Sequence, residues 1–439
     1  MATEGLLGDA GPQVEPDADQ DEDARRPLSV DAAHAYVAAG ALRAGSPGPV
    51  GLELEAHVVD LAEPSRRPSW AHLHAALDSV PRLPGGSVVT LEPGGQVELS
   101  GPPGAGVGEA VAGVAVDHAA LRRHLATHGL GLALVGADPL REAARVNPGQ
   151  RYDAMEQHWR ATGQASAGLS MMCSTASLQV NLEAGPTHEW ARRTELVHLL
   201  GPVLVAVSAC SPWLSGRATG WRSTRQRVWG DLDVLRCGPL RGGPDPAAEW
   251  ADYALDAPVM LVRSGDRVDP VRTRIPLREW LSGAVRLGDR LPERSDVDLH
   301  LTTLFPPARL RGFIEVRYLD AVPRRWWGAL AATLVTLMDV PQAADLAAAA
   351  AEPVGREWTA AARDGLTHPG LAVAARACLA AAAAHAPAAL ADQVGELADL
   401  VATGRSPGDD VADTAARFGP EAALLAACPP AYEGEDADA

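Results

Sequence analysis

GLELEAHVVDL, residues 51–61, alternates with a period of two: Leu52, Leu54, Ala56 and Val58 fall on one side, and Glu53, Glu55 and His57 on the other. This pattern predicts a strand that buries one face and projects two carboxylates side by side from the other. One Glu-x-Glu is ordinarily a solvated strand face. It gains weight from three further segments of the same kind.

In SVVTLEPGGQVELSGPP, residues 87–103, an apolar strand ends at Glu92, a Pro-Gly-Gly turn follows, and Gln96 and Glu98 share one face of the return strand. SLQVNLEAG, residues 177–185, sets Gln179, Asn181 and Glu183 against Leu178, Val180 and Leu182. GFIEVRYLD, residues 312–320, sets Glu315 and Arg317 opposite Ile314, Val316 and Tyr318. Each strand alone fits a structural salt-bridge network. Together, in one sheet, their polar faces can converge on a concave site holding Glu53, Glu55, Glu92, Glu98 and Glu315 with amides and an arginine. Carboxylates so close raise one another's pKa unless cations compensate. Oxygen ligands without a Cys/His set point to Mg²⁺ or Mn²⁺ rather than zinc.

A basic cluster, Arg222, Arg225, Arg227 and Arg236, lies in GWRSTRQRVWGDLDVLRCG, read as a loop that either clamps phosphate or carboxylate oxygens or is neutralised by Asp231 and Asp233. RYDAMEQHW, residues 151–159, looks helical, and HLTTLFPPARLRGF, residues 300–313, looks like a loop entering the last polar-faced strand. His300 is a secondary candidate for orienting a ligand or phosphate. Cys173 has no nucleophile motif around it and reads as a small buried hydrophobe.

The chain of 439 residues carries 56 acids against 38 bases, a formal net charge of -18, which argues against nucleic acid or anionic membrane as partners. No lysine occurs, so a P-loop is excluded and any phosphate clamp uses guanidinium groups. Five scattered cysteines without ligand spacing fit a reduced interior, and the acidic start has no signal-peptide core, so a cytoplasmic location is expected. Residues 1–27 read as a disordered acidic tail, 28–340 as a catalytic domain of mixed strands and helices, 341–430 as an Ala-rich helical appendage, and 431–439 as a second acidic tail.

Read in order, GLELEAHVVD, LEPGGQVELSGPP, RYDAMEQHW, MMCSTASLQVNLE, RQRVWGDLD and HLTTLFPPARLRGFIEVRYLD resemble the glutamate-cysteine ligase family of plants and many bacteria, and most of all its actinobacterial branch assigned to ergothioneine biosynthesis. The resemblance spans roughly residues 30–340. It implies an α+β fold similar to the glutamine synthetase catalytic domain, a curved, mostly antiparallel sheet forming an open funnel with helices outside. It also implies Mg²⁺ and ATP, with glutamate and cysteine as substrates. By the same resemblance Glu53, Glu55, Glu92, Glu98 and Glu315 match metal ligands, Arg317 the arginine beside the transferred phosphoryl group, and Gln179 and Asn181 a strand facing metal and substrate. Arg225 and Arg227 match an arginine-and-tryptophan loop. MMCSTASLQVNLE lacks the arginine of the plant-like MLRTCTVQVNL. A different amine acceptor, a guanidino phosphotransferase and a non-catalytic binding protein of the same fold are the alternatives.

Overall fold

The computed structural model describes residues 27–429; the two expected acidic tails therefore lie, Pro27 apart, outside the described residues. Its strands are β1 (Val50–Asp60), β2 (Val88–Leu91), β3 (Val97–Ser100), β4 (Leu130–Ala133), β5 (Ser177–Leu182), β6 (Trp213–Leu214), β7 (Arg217–Ala218), β8 (Leu261–Ser264), β9 (Arg267–Pro270), β10 (Ala308–Leu310) and β11 (Ile314–Asp320). A seven-stranded sheet runs β10-β11-β5-β1-β3-β2, with β4 on β1, and all its pairings are antiparallel. Strands β2 and β10 end the order without pairing with each other, so the sheet stays open.

The alternation of β1 has the expected result over its first half. Leu52, Leu54 and Ala56 are buried beside Leu178, Val180, Leu182, Ile314 and Val316 of the neighbouring strands, each large side chain contributing about 1.5–3 kcal/mol when fully buried. From His57 onward the strand leaves β3 and β5 and pairs with β4. There both faces are covered, and His57, expected beside the glutamates, is buried instead, its imidazole pushed down to about 4 chiefly by that burial.

Helices cover the apolar face. The helix Arg324–Asp339 is buried at every residue from Trp326 to Met338, as a helix apolar on all sides must be. The Ala-rich end forms the helices Pro341–Ala351, Trp358–Asp364, Pro369–His385, Ala391–Ala402, Pro407–Phe418 and Pro420–Ala426. The last two of these helices are separated at Gly419, which takes φ +90, before Pro420 opens the second. These helices share one core with the sheet: Leu371, Leu379, Leu397 and Leu424 belong to the same cluster as Leu52 and Val180. Leu134 N beyond β4 donates to Ala427 O at 3.1 Å. The change of composition near residue 340 is therefore not a change of core. No single helix among the described residues is long and apolar enough to cross a membrane.

Candidate active site

On its polar face the sheet lines a cavity of about 1780 Å³. Glu53 and Glu55 enter it from β1, Glu98 from β3, and Glu92 from the hairpin between β2 and β3. That hairpin closes as the Pro-Gly-Gly sequence demands: Gly95 N donates to Glu92 O, Glu92 N to Gln96 O, and Gly95 takes φ +82. The register sets Glu55 directly opposite Glu98, a like-charge cross-strand pair that destabilises a sheet.

Hydrogen bonds hold the acids in place. Glu53 accepts from Asn181 Nδ2 at 2.9 Å; Glu55 accepts from Gln179 Nε2 at 3.0 Å and from the Ser177 backbone N–H at 2.7 Å; Glu98 accepts from Ser100 Oγ at 3.0 Å. Burial first, and then the neighbouring carboxylates, raises Glu53, raises Glu92 to about 7 and raises Glu98 well above the usual range. Such a set is short of positive charge, and its all-oxygen donors suit a hard divalent cation. Among the described residues, no three such groups are yet drawn into a ligating arrangement.

Glu315 is different. Arg309, directly opposite it on β10, grips both of its oxygens, Arg317 donates to Oε1 at 2.9 Å, and Arg311 stands 3.8 Å away. Although burial alone would raise its pKa, the guanidiniums bring it down to about 2. As a metal ligand it would have to share a carboxylate already committed to arginines. Arg317 also donates to Gln179 Oε1 at 2.5 Å, so Gln179 links the arginine to Glu55.

The expected arginine loop is a helix, Thr224–Gly230, capped by Ser223 Oγ accepting from Gln226 N. Residues two apart on a helix point to different sides. Arg225 therefore lines the cavity, whereas Arg227 is a surface residue over the Trp221 ring, with Asp231 3.7 Å away. Arg222 pairs with Asp409 at 2.6 Å, and buried Arg236 donates to Thr303 and Pro258 carbonyls. His300 does not reach the cavity: it sits in the helix Arg294–Leu301, its Nε2 2.8 Å from Ala254 O, and burial pushes it down to about 3. Cys173 is fully buried, and burial pushes its thiol up to about 12.

Two residues escaped the sequence reading. Arg309 lies in ARLRGFIEVR, where two strands turn at Gly312 with φ +80; had 308–310 been taken as a strand, Arg309 would have fallen opposite Glu315. Arg67 supports the hairpin from beneath, donating to Gly94 O, Cys173 O and Glu142 O at 3.1, 3.2 and 2.9 Å. Nothing local in SRRP signals that.

An open antiparallel sheet whose polar face carries clustered glutamates and restrained guanidiniums suits a divalent cation and an anionic substrate, and comparison with known proteins supplies the class, a ligase of the glutamate-cysteine type. Residues 49–426 match glutamate-cysteine ligase family 2 (GCS2), and the chain belongs to that family. It is 53% identical over 398 residues to the glutamate-cysteine ligase EgtA of Mycolicibacterium smegmatis, covering 90% of this chain and 94% of that protein. It is 52% identical over 386 residues to the EgtA of Mycobacterium tuberculosis, covering 87% and 89%. The chloroplastic glutamate-cysteine ligase of Brassica juncea is 34% identical over 63% of this chain and 54% of its own. The fold is similar to that of a glutamate-cysteine ligase from Francisella tularensis crystallised in complex with AMP, at TM-score 0.52 and 12% identity over 88% of each chain.

Proposed function

We propose that this chain is an ATP-dependent glutamate-cysteine ligase that joins the γ-carboxyl of glutamate to the amino group of cysteine. One observation carries the reading: four half-buried glutamates, of which Glu53, Glu92 and Glu98 have pKa values raised by burial and by neighbouring carboxylates, stand in one cavity with an arginine fixed by Glu315 and Gln179. The names of the relatives at 52–53% identity support the substrates, and the AMP of the Francisella enzyme supports a nucleotide in this fold.

In the first step the glutamate γ-carboxylate attacks the γ-phosphorus of ATP, ADP leaves, and an acyl phosphate forms. The cysteine amine then attacks the acyl carbon, inorganic phosphate leaves, and the amine gives up a proton. Phosphoryl transfer depends mainly on positioning and charge stabilisation. Arg317 supplies a fixed positive charge beside the transferred group, its guanidinium restrained by Glu315 and Gln179 so that little reorganisation is needed. Glu53, Glu55, Glu92 and Glu98, with Glu315 at the margin, would hold Mg²⁺, or Mn²⁺ in its place. When bound, the cation neutralises phosphate charge. Gln179 and Asn181 orient Glu55 and Glu53 from behind, as partners of ligands do.

We assign the product, γ-glutamylcysteine, to ergothioneine synthesis on the likeness to the actinobacterial branch, and the reaction to the cytoplasm on the five free thiols. The test is phosphate release from Mg-ATP and glutamate with and without cysteine, with the product identified by mass. Cysteine-dependent release with γ-glutamylcysteine supports the proposal. Release with another amine, or with none, replaces it.

A further inference from the structure

Between Val316 and Leu319 the ladder of β11 on β5 slips by one residue. Val316 faces Val180 and Leu319 faces Leu178, so Arg317 and Tyr318 both stand against Gln179. A bulge of this kind takes backbone groups out of the ladder and re-aims a side chain. Here the slip falls at Arg317, which lines the cavity.

Backbone groups at the bulge find partners on neighbouring segments. Arg317 N donates to Pro307 O at 2.9 Å. Both carbonyls are taken by neighbouring side chains of the helix Thr224–Gly230: Arg225 Nη2 donates to Arg317 O at 2.6 Å, and Gln226 Nε2 to Tyr318 O at 2.8 Å. Arg225 Nη1 faces Asp320 Oδ1 at 3.7 Å. Asp320, at the end of the same strand, accepts from Cys210 N, Ser211 Oγ and Ser223 Oγ at 2.9, 2.7 and 2.9 Å. Ser223 in turn caps the helix that carries Arg225 and Gln226. The circuit therefore runs from bulge to helix to cap to Asp320 and back to the strand, and all of it except Arg317 and Arg225 lies away from the cavity lining.

We propose that Arg225, Gln226 and Asp320 form a brace that sets the β11 bulge and so aims Arg317, making them positioning residues for phosphoryl transfer, with Arg225 acting through Arg317 and not as a direct grip on nucleotide phosphate. The proposal rests on the role of Arg317 given above. Of the two terminal nitrogens of Arg225, Nη2 is bonded to a carbonyl of β11 and Nη1 faces a carboxylate of the same strand at 3.7 Å, and a lysine at 225 could not reproduce that fork.

Steady-state kinetics and a double-mutant cycle decide the matter. Gln226→Met keeps bulk and removes the donor; it is expected to lower kcat about tenfold, leave the KM for ATP within about twofold, and keep the melting temperature. Arg225→Lys is expected to do the same. In an Arg317→Ala background Gln226→Met should cost nothing further, since residues that act through one another are not additive. Should Gln226→Met fail to fold, Gln226→Asn, one methylene too short to reach the carbonyl, takes its place in the cycle. A raised KM for ATP with kcat preserved in Arg225→Lys would overturn the brace in favour of direct phosphate binding. Unchanged kcat in the Gln226 variant, or full additivity with Arg317→Ala, would overturn it too. Retained turnover in Arg317→Ala alone would instead remove Arg317 from the chemistry, a separate failure.

Discussion

Glu315 holds a negative charge between guanidiniums while Glu53, Glu92 and Glu98 lack compensating charge a few side chains away. That asymmetry separates an arginine that is held ready from a set of acids that awaits a cation. Arg317→Ala and Glu53→Gln should therefore each lower turnover at least ~100-fold with folding intact, the magnitude of a lost transition-state charge contact; near-normal steady-state rates in either variant would take that residue out of the site. Cys173→Ala should leave catalysis largely unchanged, because the thiol is buried and protonated, and a folded but inactive variant would contradict this. Glu53, Glu55, Glu98, Glu315 and Arg317 were legible because strand alternation places a side chain by parity alone, and Glu92 because a Pro-Gly-Gly turn follows it. Arg227 and His300 were misplaced because their segments are helical, where side follows an angle per residue. Glu293 and Asp296, which close a capping box at the start of the His300 helix, were the signal available for the second.

At the scale of elements, the hairpin between β2 and β3 was readable from Pro93, Gly94 and Gly95, whereas β10 was hidden by its three residues and the prolines before it. The bulge in β11 left no local mark either, since Val-Arg-Tyr-Leu continues a plausible alternation. Gly94 shows how tightly the hairpin is seated. A Cβ there would stand 2.3 Å from Cys173 O and 2.5 Å from Cys173 Cα, both backbone atoms that cannot swing away. Gly94→Ala is thus expected to destabilise the protein by about 1–3 kcal/mol, as overpacking does, and to lower activity by shifting Glu92. Urea unfolding beside turnover checks both. Unchanged stability would mean that the hairpin can lift from Cys173, near the end of the helix Ala165–Ser174, at no cost.

For the whole molecule, the sequence boundary near 340 marks composition, and the core passes through it, so ligand effects on the acid cluster should register in global unfolding. Glu92 is raised from 4.5 to about 7, and Glu53 and Glu98 are raised as well, by burial and then by neighbouring carboxylates. A carboxyl with a raised pKa binds its proton more tightly folded than unfolded. Its contribution to stability is fully present below the unfolded value and is lost as pH rises through the folded one. Across the window from 4.5 to about 7 Glu92 thus goes from neutral to charged and repelled by its neighbours. A bound divalent cation opposes that loss only where the acids have ionised. Mg²⁺ should therefore raise the melting temperature more at about pH 8 than at about pH 5.5. The difference should shrink in Glu98→Gln, where one repelling charge is gone, and calorimetry at the two pH values reads both effects. Equal Mg²⁺ shifts at both pH values would mean that the cation stabilises the fold from somewhere other than these three glutamates.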